Sequence, residues 1–292
     1  LWLFLPVTIL VNNYERSSLR GHNFARMYGD ILLSTMRPEA LLFAGTDSAY
    51  AVPMYMRWVQ GRRPDVSILS VNRLSDQSYE AEAKRNAPEI EFLTEEEYVE
   101  AFLRYATAQD SEGISGAHSV GRLNAFLMLK LHQRSAPRRP VYYEQGLPIE
   151  WITDYAVPSG LLLEVKEHRI ESLIPDLIEA DREYWRRLEE TLLTNPCFLR
   201  DNPARQKFSK CRSNIGYLYL RRKMFDEARE ALEQAIRFSD TNIEAFAFLA
   251  LVYREQGERE KAIQVFNEYL RRDTWNTSAR VFIPSDDGTP VE

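Results

Sequence analysis

The chain has 292 residues, 45% of them hydrophobic, 27% charged and 12% aromatic; this composition excludes disordered, collagen-like and low-complexity classes, and the length favours two modules over one small core. Against 37 basic residues stand 43 acidic ones, a net charge of −6 with the Arg-Arg pairs scattered along the chain, which argues against a general nucleic-acid binder. Cys197 and Cys211 are the two cysteines; they cannot make a disulfide framework and neither lies in a C-x-x-C pair, so one bridge across a short loop and two buried thiols are both open.

Residues 1–11, LWLFLPVTILV, are nearly all apolar and carry no charge. The run is shorter than the roughly 20 apolar residues of a membrane span and lacks the basic start and small-residue cleavage site of a signal peptide. It reads either as the stub of a truncated transmembrane helix or as a buried strand; a leucine at position 1 adds the expectation of a fragment.

After a polar stretch from Asn12 to Gly21, Phe24, Tyr28, Ile31, Leu32 and Thr35 share one helix face that Pro38 stops. Leu41 to Ala44 is a short apolar strand ending in Gly45-Thr46-Asp47. Pro53 is expected to open the next helix, with Tyr55, Met56 and Val59 inward and Gly61 as its stop. Val66 to Val71 reads as a second strand. Strand, helix and strand in so short a span predict a parallel βαβ unit. Amphipathic helices follow at Glu95–Ala106 and Val120–His132, short strands at Val141–Tyr143 and Leu161–Val165, and a charged helical stretch from Ile170 to Leu193.

From Cys211 the chain repeats itself. Gly216, Tyr219, Ala228, Leu232 and Ala235 are followed, 34 positions on, by Ala250, Tyr253, Ala262, Phe266 and Tyr269. A small residue, then an aromatic, an alanine and a large apolar residue at these offsets match the tetratricopeptide pattern. The small residue lets paired helices approach, while Tyr219, Leu232, Tyr253 and Phe266 fill the space between pairs. Two repeats leave exposed ends, which the helix near Arg182–Leu193 and the segment Pro203–Cys211 are expected to cover. Asn214, Tyr217, Asn242 and Phe246 are the candidates for the groove. The expected architecture is therefore an α/β, Rossmann-like domain with a mostly parallel sheet over 12–168, linking and capping helices over 169–210, an all-α tetratricopeptide array of two repeats over 211–279, and a flexible tail over 280–292.

Motifs that carry chemistry are few. Gly45-Thr46-Asp47-Ser48 follows a parallel strand, where open α/β sheets bind ligands; the alternative is a turn in which Asp47 or Ser48 caps a helix. Arg62 and Arg63 either reach an anion beside Asp47 or face solvent, and Asp65 and Asp76 flank the second strand. Gly113-Ile114-Ser115-Gly116, with Gly121, lacks the ending of a phosphate loop and reads as a mobile loop. His22, His118, His132 and His168 show no metal-ligand spacing, there is no G-x-S-x-G elbow, and Asn276-Thr277-Ser278 is a chance-prone sequon. Neither a cofactor nor a catalytic residue is expected.

In order, Asn12-Asn13-Tyr14, Arg16, the helix through Tyr28 and Leu32, Pro38 to Phe43, Gly45-Thr46-Asp47, Pro53, Tyr55 and above all Gly61-Arg62-Arg63-Pro64-Asp65-Val66 resemble a segment following the last membrane helix of a polytopic family. That family is similar to GT-C-type protein O-mannosyltransferases, and its members often end in tetratricopeptide repeats; Val157 to Leu162 resembles a further family segment. The resemblance implies a non-catalytic C-terminal module on the periplasmic or luminal face of a membrane glycosyltransferase-like protein. Its partners would be a protein segment at the repeats and the membrane half of the same protein. This chain departs from the family's Asn-Gly-Asp type turn at Gly45–Ser48, and the presumed catalytic acid belongs to the membrane half, so no catalytic residue carries over. A free-standing α/β enzyme or sugar-binding domain with its site at Asp47, and a scaffold that only binds proteins, are the alternatives.

Overall fold

The computed structural model describes residues 4–17, 21–106, 116–144, 146 and 149–272. Residues 1–3 of the apolar stub, the loop Gly113–Ser115, the sequon and the tail 280–292 lie outside them.

The chain opens with α1 (Phe4–Ser17) and α2 (Phe24–Thr35). The apolar run at the start is thus helical, with Val7, Ile9, Val11 and Tyr14 exposed. On α2 the predicted face is buried through Phe24, Tyr28 and Leu32.

A five-stranded mixed sheet follows, ordered β2-β1-β3-β5-β4. In it β1 (Leu41–Ala44) pairs in parallel with β2 (Ser67–Ser70) on one side and β3 (Val141–Glu144) on the other. All three are buried along their length, as befits strands covered on both faces. The other two strands overturn the expectation of a Rossmann-like, mostly parallel sheet. Here β4 (Ala156–Ser159) and β5 (Leu162–Val165) form a hairpin whose β5 runs antiparallel to β3. The cause is local: Gly160, at φ +59°, opens a connection of two residues, and so short a link permits only antiparallel pairing. Pro158 is tolerated because β4 is the edge strand.

Between β1 and β2 runs α3 (Asp47–Trp58), and here too the sequence reading needs correction. The helix begins six residues before Pro53, because the Thr46 side chain accepts a hydrogen bond from the Ala49 amide and caps it. Pro53 lies inside the helix and is buried with Ala49 and Met56, whereas Tyr55 and Val59 point outward at 55% and 67% exposure. Gly61 does close the turn, at φ +66°. Between β2 and β3 lie α4 (Gln77–Asn86), α5 (Glu95–Ala106) and α6 (Gly116–Ser135). A short α7 (Ile152–Tyr155) precedes the hairpin.

From Pro175 to Arg272 the chain forms six helices: α8 (Pro175–Leu193), α9 (Pro196–Arg200), α10 (Asn202–Arg221), α11 (Phe225–Phe238), α12 (Ile243–Glu255) and α13 (Arg259–Arg272). Pro175 sets the start of α8 later than Ile170, taking the first-turn position where its missing N–H costs nothing. The repeats are α10–α11 and α12–α13. Gly216 lies so close to α11 that a Cβ there would stand 2.7 Å from Leu232 Cγ, and Tyr219, Ala228 and Leu232 are buried as their spacing requires. In the second repeat Ala250 is buried, but Tyr253, Ala262 and Phe266 are only half-buried.

On α8, Trp185 is fully buried and packs edge-on against Phe238 of the first repeat at 5.9 Å. Pro203–Cys211 is no separate cap, because it forms the first half of α10. A buried network joins α8 to the repeats. Arg212 Nη1 donates to Asp181 Oδ2 at 2.7 Å and its Nε to Gln234 Oε1 at 2.7 Å, while the Tyr219 hydroxyl donates to Asp181 at 2.9 Å. Cys197 and Cys211 are not joined in a disulfide, and burial pushes the Cys211 thiol up to about 12.

Candidate functional site at the sheet and repeat junction

Along the sheet the chain moves from β1 outward to β2, then returns past β1 to β3. The carboxyl ends of β1 and β3 are therefore the point where strand order reverses, the position at which open α/β sheets form a ligand crevice. Backbone closes the floor of this crevice. The Gly45 amide donates to the Glu144 carbonyl at 2.9 Å, and a Cβ on Gly45 would fall 2.3 Å from the Gly146 nitrogen; only glycine fits there.

Above this floor lies an unusual charge arrangement. Glu144 ends β3 with its side chain 1% exposed, and Lys207 of α10 reaches across to pair with it. The Lys207 ammonium also donates to Thr46 Oγ1 at 2.8 Å, and that hydroxyl donates to Glu144 Oε2 at 2.9 Å. Lys207 stands 4.9 Å from the Tyr28 ring centroid. Burial, then the charge of Glu144, holds the Tyr28 phenol well above its ordinary value. From here a cleft of about 530 Å3 opens between α2, the Thr46–Ser48 turn and the start of α10, with Phe24, Val52 and Phe208 as apolar walls and Lys210 at its side.

Of the sequence candidates, Gly45, Thr46 and Ser48 border this junction. Asp47 is the exposed first residue of α3, and the capping oxygen belongs to Thr46 rather than to Asp47 or Ser48. Arg62, Arg63 and Asp65 are not brought to it. They precede β2, at the amino ends of the strands, separated from Asp47 by the length of β1, roughly 13 Å at about 3.3 Å per residue. Arg62 pairs with Asp30. Arg63 is a structural clamp: it donates to the carbonyls of Leu33, Met36 and Arg37 and to both oxygens of Asp65. Asp76 caps α4. Of the groove candidates, Tyr217 is half-buried and its ring lies 4.7 Å from that of Phe248. Asn214 is 6% and Phe246 1% exposed. Asn242 caps α12, accepting from the Glu244 and Ala245 amides, and donates to Ser209 at 2.8 Å. Burial thus takes Phe246 and Asn214 away from any groove surface.

Residues that sequence reasoning passed over are Tyr28, Glu144, Lys207, Lys210 and Phe248. Glu144 had a readable signal, a carboxylate closing the otherwise uncharged strand Val141-Tyr142-Tyr143-Glu144. Lys207 had none, because its partner is 63 positions away. Among the described residues no cluster of His, Cys, Asp or Glu is arranged to hold a metal.

Comparison with known proteins bears on the repeats. The tetratricopeptide repeat family model matches residues 219–276. No curated protein matches the chain by sequence. Six solved chains match by structure; one, named "Crystal structure of MamA protein", is 16% identical, with 63% of this chain and 96% of that chain covered and a TM-score of 0.23. The chain therefore carries a tetratricopeptide segment, resting on the family match and on its spacing. These comparisons do not support a glycosyltransferase origin.

Two predictions follow from the charges. Lys207→Met strands a buried carboxylate and is expected to cost about 3–5 kcal/mol of unfolding free energy; adding Glu144→Gln recovers much of it, and a urea-denaturation double-mutant cycle measures the coupling. The Arg63 guanidinium, followed by the Glu39 amide, holds the Asp65 carboxyl down at about 2 from an ordinary 3.8. Because the folded value is the lower one, this contribution to stability is present above pH 3.8 and is lost as pH falls toward 2. Asp65→Asn should therefore flatten the acid limb of the stability profile in that window and leave its shape above pH 5 unchanged.

Proposed function

We propose that this chain is a protein-binding module in which the tetratricopeptide helices present an apolar lip to a peptide segment and the α/β unit mounts them rigidly. The observation that carries the reading is the aromatic pair Tyr217 and Phe248, contributed by the first helix of each repeat, with Ala247 and Leu251 half-buried alongside. Stacked repeats use the surface of their first helices for binding, and half-exposed aromatic residues are favoured anchors at interfaces. Burial, together with the charge of Glu150, raises the Tyr217 phenol above its ordinary value, whereas Arg221 lowers it.

The test is selection of peptides from a random display library on the full chain. Peptides with apolar anchors are expected, with affinity falling at least ~10-fold on Phe248→Asp while circular dichroism shows that the variant keeps its fold. Selected peptides that bind Phe248→Asp as well as the parent chain would sink the reading.

A second reading is favoured by α1. Four of its large side chains, Val7, Ile9, Val11 and Tyr14, are each more than half exposed, a surface that a helix in water covers with something. Among the described residues no helix is long and apolar enough to cross a membrane. Taken with the resemblance, α1 supports placing the module at the extracytoplasmic face of a membrane glycosyltransferase-like protein, next to that protein's membrane half. Flotation with phospholipid vesicles checks this: the chain is expected to float, and Ile9→Asp with Val11→Asp to release it. A chain that stays at the bottom of the gradient removes this reading and leaves the repeat lip untouched.

A further inference from the structure

The carboxyl end of α3 carries a surface that neither reading uses, and we propose that it docks a partner protein through a segment in which a carboxylate lies beside apolar side chains. Tyr55 and Trp58 of α3 and Val59 just after it are 55%, 59% and 67% exposed. At i, i+3 and i+4 they form one contiguous face, turned away from the face on which Ala49, Pro53 and Met56 are buried. A single exposed apolar residue needs no explanation, but a joined patch rimmed by charge marks an interaction site.

The patch has its shape before any partner arrives. The Val59 amide donates to the Tyr55 carbonyl at 2.9 Å and the Arg62 amide to the Met56 carbonyl at 3.0 Å, so the last turn is closed, and Gly61 at φ +66° turns the chain away. The Arg57 guanidinium stands 5.2 Å from the Trp58 ring centroid. It is fixed there by the Pro64 carbonyl, 3.2 Å from Nη2, and the Asn86 carbonyl, 2.8 Å from Nη1. Such preorganisation lowers the ordering cost of binding.

Charge selects the partner. Both acceptors of Arg57 are neutral carbonyls, and among the described residues no carboxylate pairs with it. Its bonds use three N–H groups of the five that a guanidinium carries. Arg85, the residue before Asn86, is exposed and likewise without an ion pair among the described residues. Asp30 and Asp65 do not neutralise this rim, because Arg62 holds the first and Arg63 the second. In a chain of net charge −6 the patch therefore presents apolar surface edged by free positive charge. A carboxylate suits the planar guanidinium, and an apolar neighbour suits Trp58 and Val59. Side chains on one face recur every second residue in a strand and every third or fourth in a helix, which sets the spacing of the two groups in the partner. Trp, Tyr and Arg are also the residues on which interface energy concentrates. A lipid surface fits less well, since the guanidinium over the Trp58 ring keeps that side of the indole in polar surroundings.

The probe is a random peptide display library panned on the full chain, each selected peptide then being measured on the parent, Trp58→Ala, Arg85→Glu and Phe248→Asp. Expected is a class of peptides with Asp or Glu at that spacing from an apolar residue, weakened at least ~10-fold by Trp58→Ala. Arg85→Glu should weaken the same class by roughly 3-fold or more, added salt should weaken it further, and Phe248→Asp should leave it unchanged. Trp58 and Arg85 are both exposed, so circular dichroism is expected to show the native fold in both variants. The proposal is overturned if every selected peptide binds Trp58→Ala as it binds the parent, if the Trp58-dependent class has no acidic preference, or if Arg85→Glu changes neither affinity nor salt dependence. It is overturned too by a concentration-dependent dimer that Trp58→Ala dissolves, which makes a second copy the occupant, or by flotation with phosphatidylserine vesicles that Trp58→Ala abolishes, which makes it a lipid surface. None of these outcomes bears on the peptide lip, whose test uses Phe248.

Discussion

Glu144 governs how the two halves of this molecule meet. Its carboxylate closes β3 with almost no exposure, and a buried carboxylate needs a cation and hydrogen bonds or it destabilises the fold by several kcal/mol. The neighbouring strands supply no cation. Thr46, at the end of β1, donates one hydrogen bond, and the charge comes from Lys207 on α10. The sheet is thus completed electrostatically by a helix of the repeat region. The far end of the same helix is tied in a matching way: Arg222 donates to the carbonyls of Thr153, Ala156 and Ile170, and burial lowers its guanidinium below its ordinary value. With both ends held, α10 is at once the first helix of a repeat and a strut of the α/β unit.

This double role accounts for the stability of so short an array. Repeats generally need several neighbours to bury their faces, and here α8 supplies the missing one through Trp185 and the Asp181–Arg212 pair. At 2% and 1% side-chain exposure the cost of desolvating both charges offsets much of their attraction. Its extra bonds to Gln234 and Tyr219 fix the register of α8 against α10 and α11. Among the described residues no such partner reaches the second repeat, where Tyr253 and Phe266 occupy the positions of the buried Tyr219 and Leu232 yet are only half-covered.

Periodic features were legible in the sequence, and singular ones were not. The apolar runs at Leu41–Ala44 and Val141–Tyr143, the face of α2 and the repeat offsets each rest on several residues that agree, so a reading survives one exception. Pro53 misleads because the rule that proline opens a helix has an escape, a strong upstream cap at Thr46. Arg62 and Arg63 look like an anion site as a pair of adjacent cations, but apart from Asp65 their partners lie about thirty positions earlier in the chain, on and just after α2. Of the candidate site only Gly45, Thr46 and Ser48 were readable; Tyr28, Glu144 and Lys207 become one site through contacts between distant positions, which no local pattern records.

The cleft and the peptide lip share α10, with Lys210 in the first and Tyr217 in the second, about 10 Å apart along the axis at roughly 1.5 Å per residue. Coupling between them would require α10 to slide or tilt. Either motion breaks the Lys207–Glu144 contact and the three carbonyl bonds of Arg222, and breaking one buried charge pair alone costs about 3–5 kcal/mol. Allosteric coupling free energies are typically smaller, about 1–3 kcal/mol. The anchoring that makes α10 a good mount therefore also isolates the lip from the cleft, so that peptide binding at the lip is expected to leave the cleft unchanged.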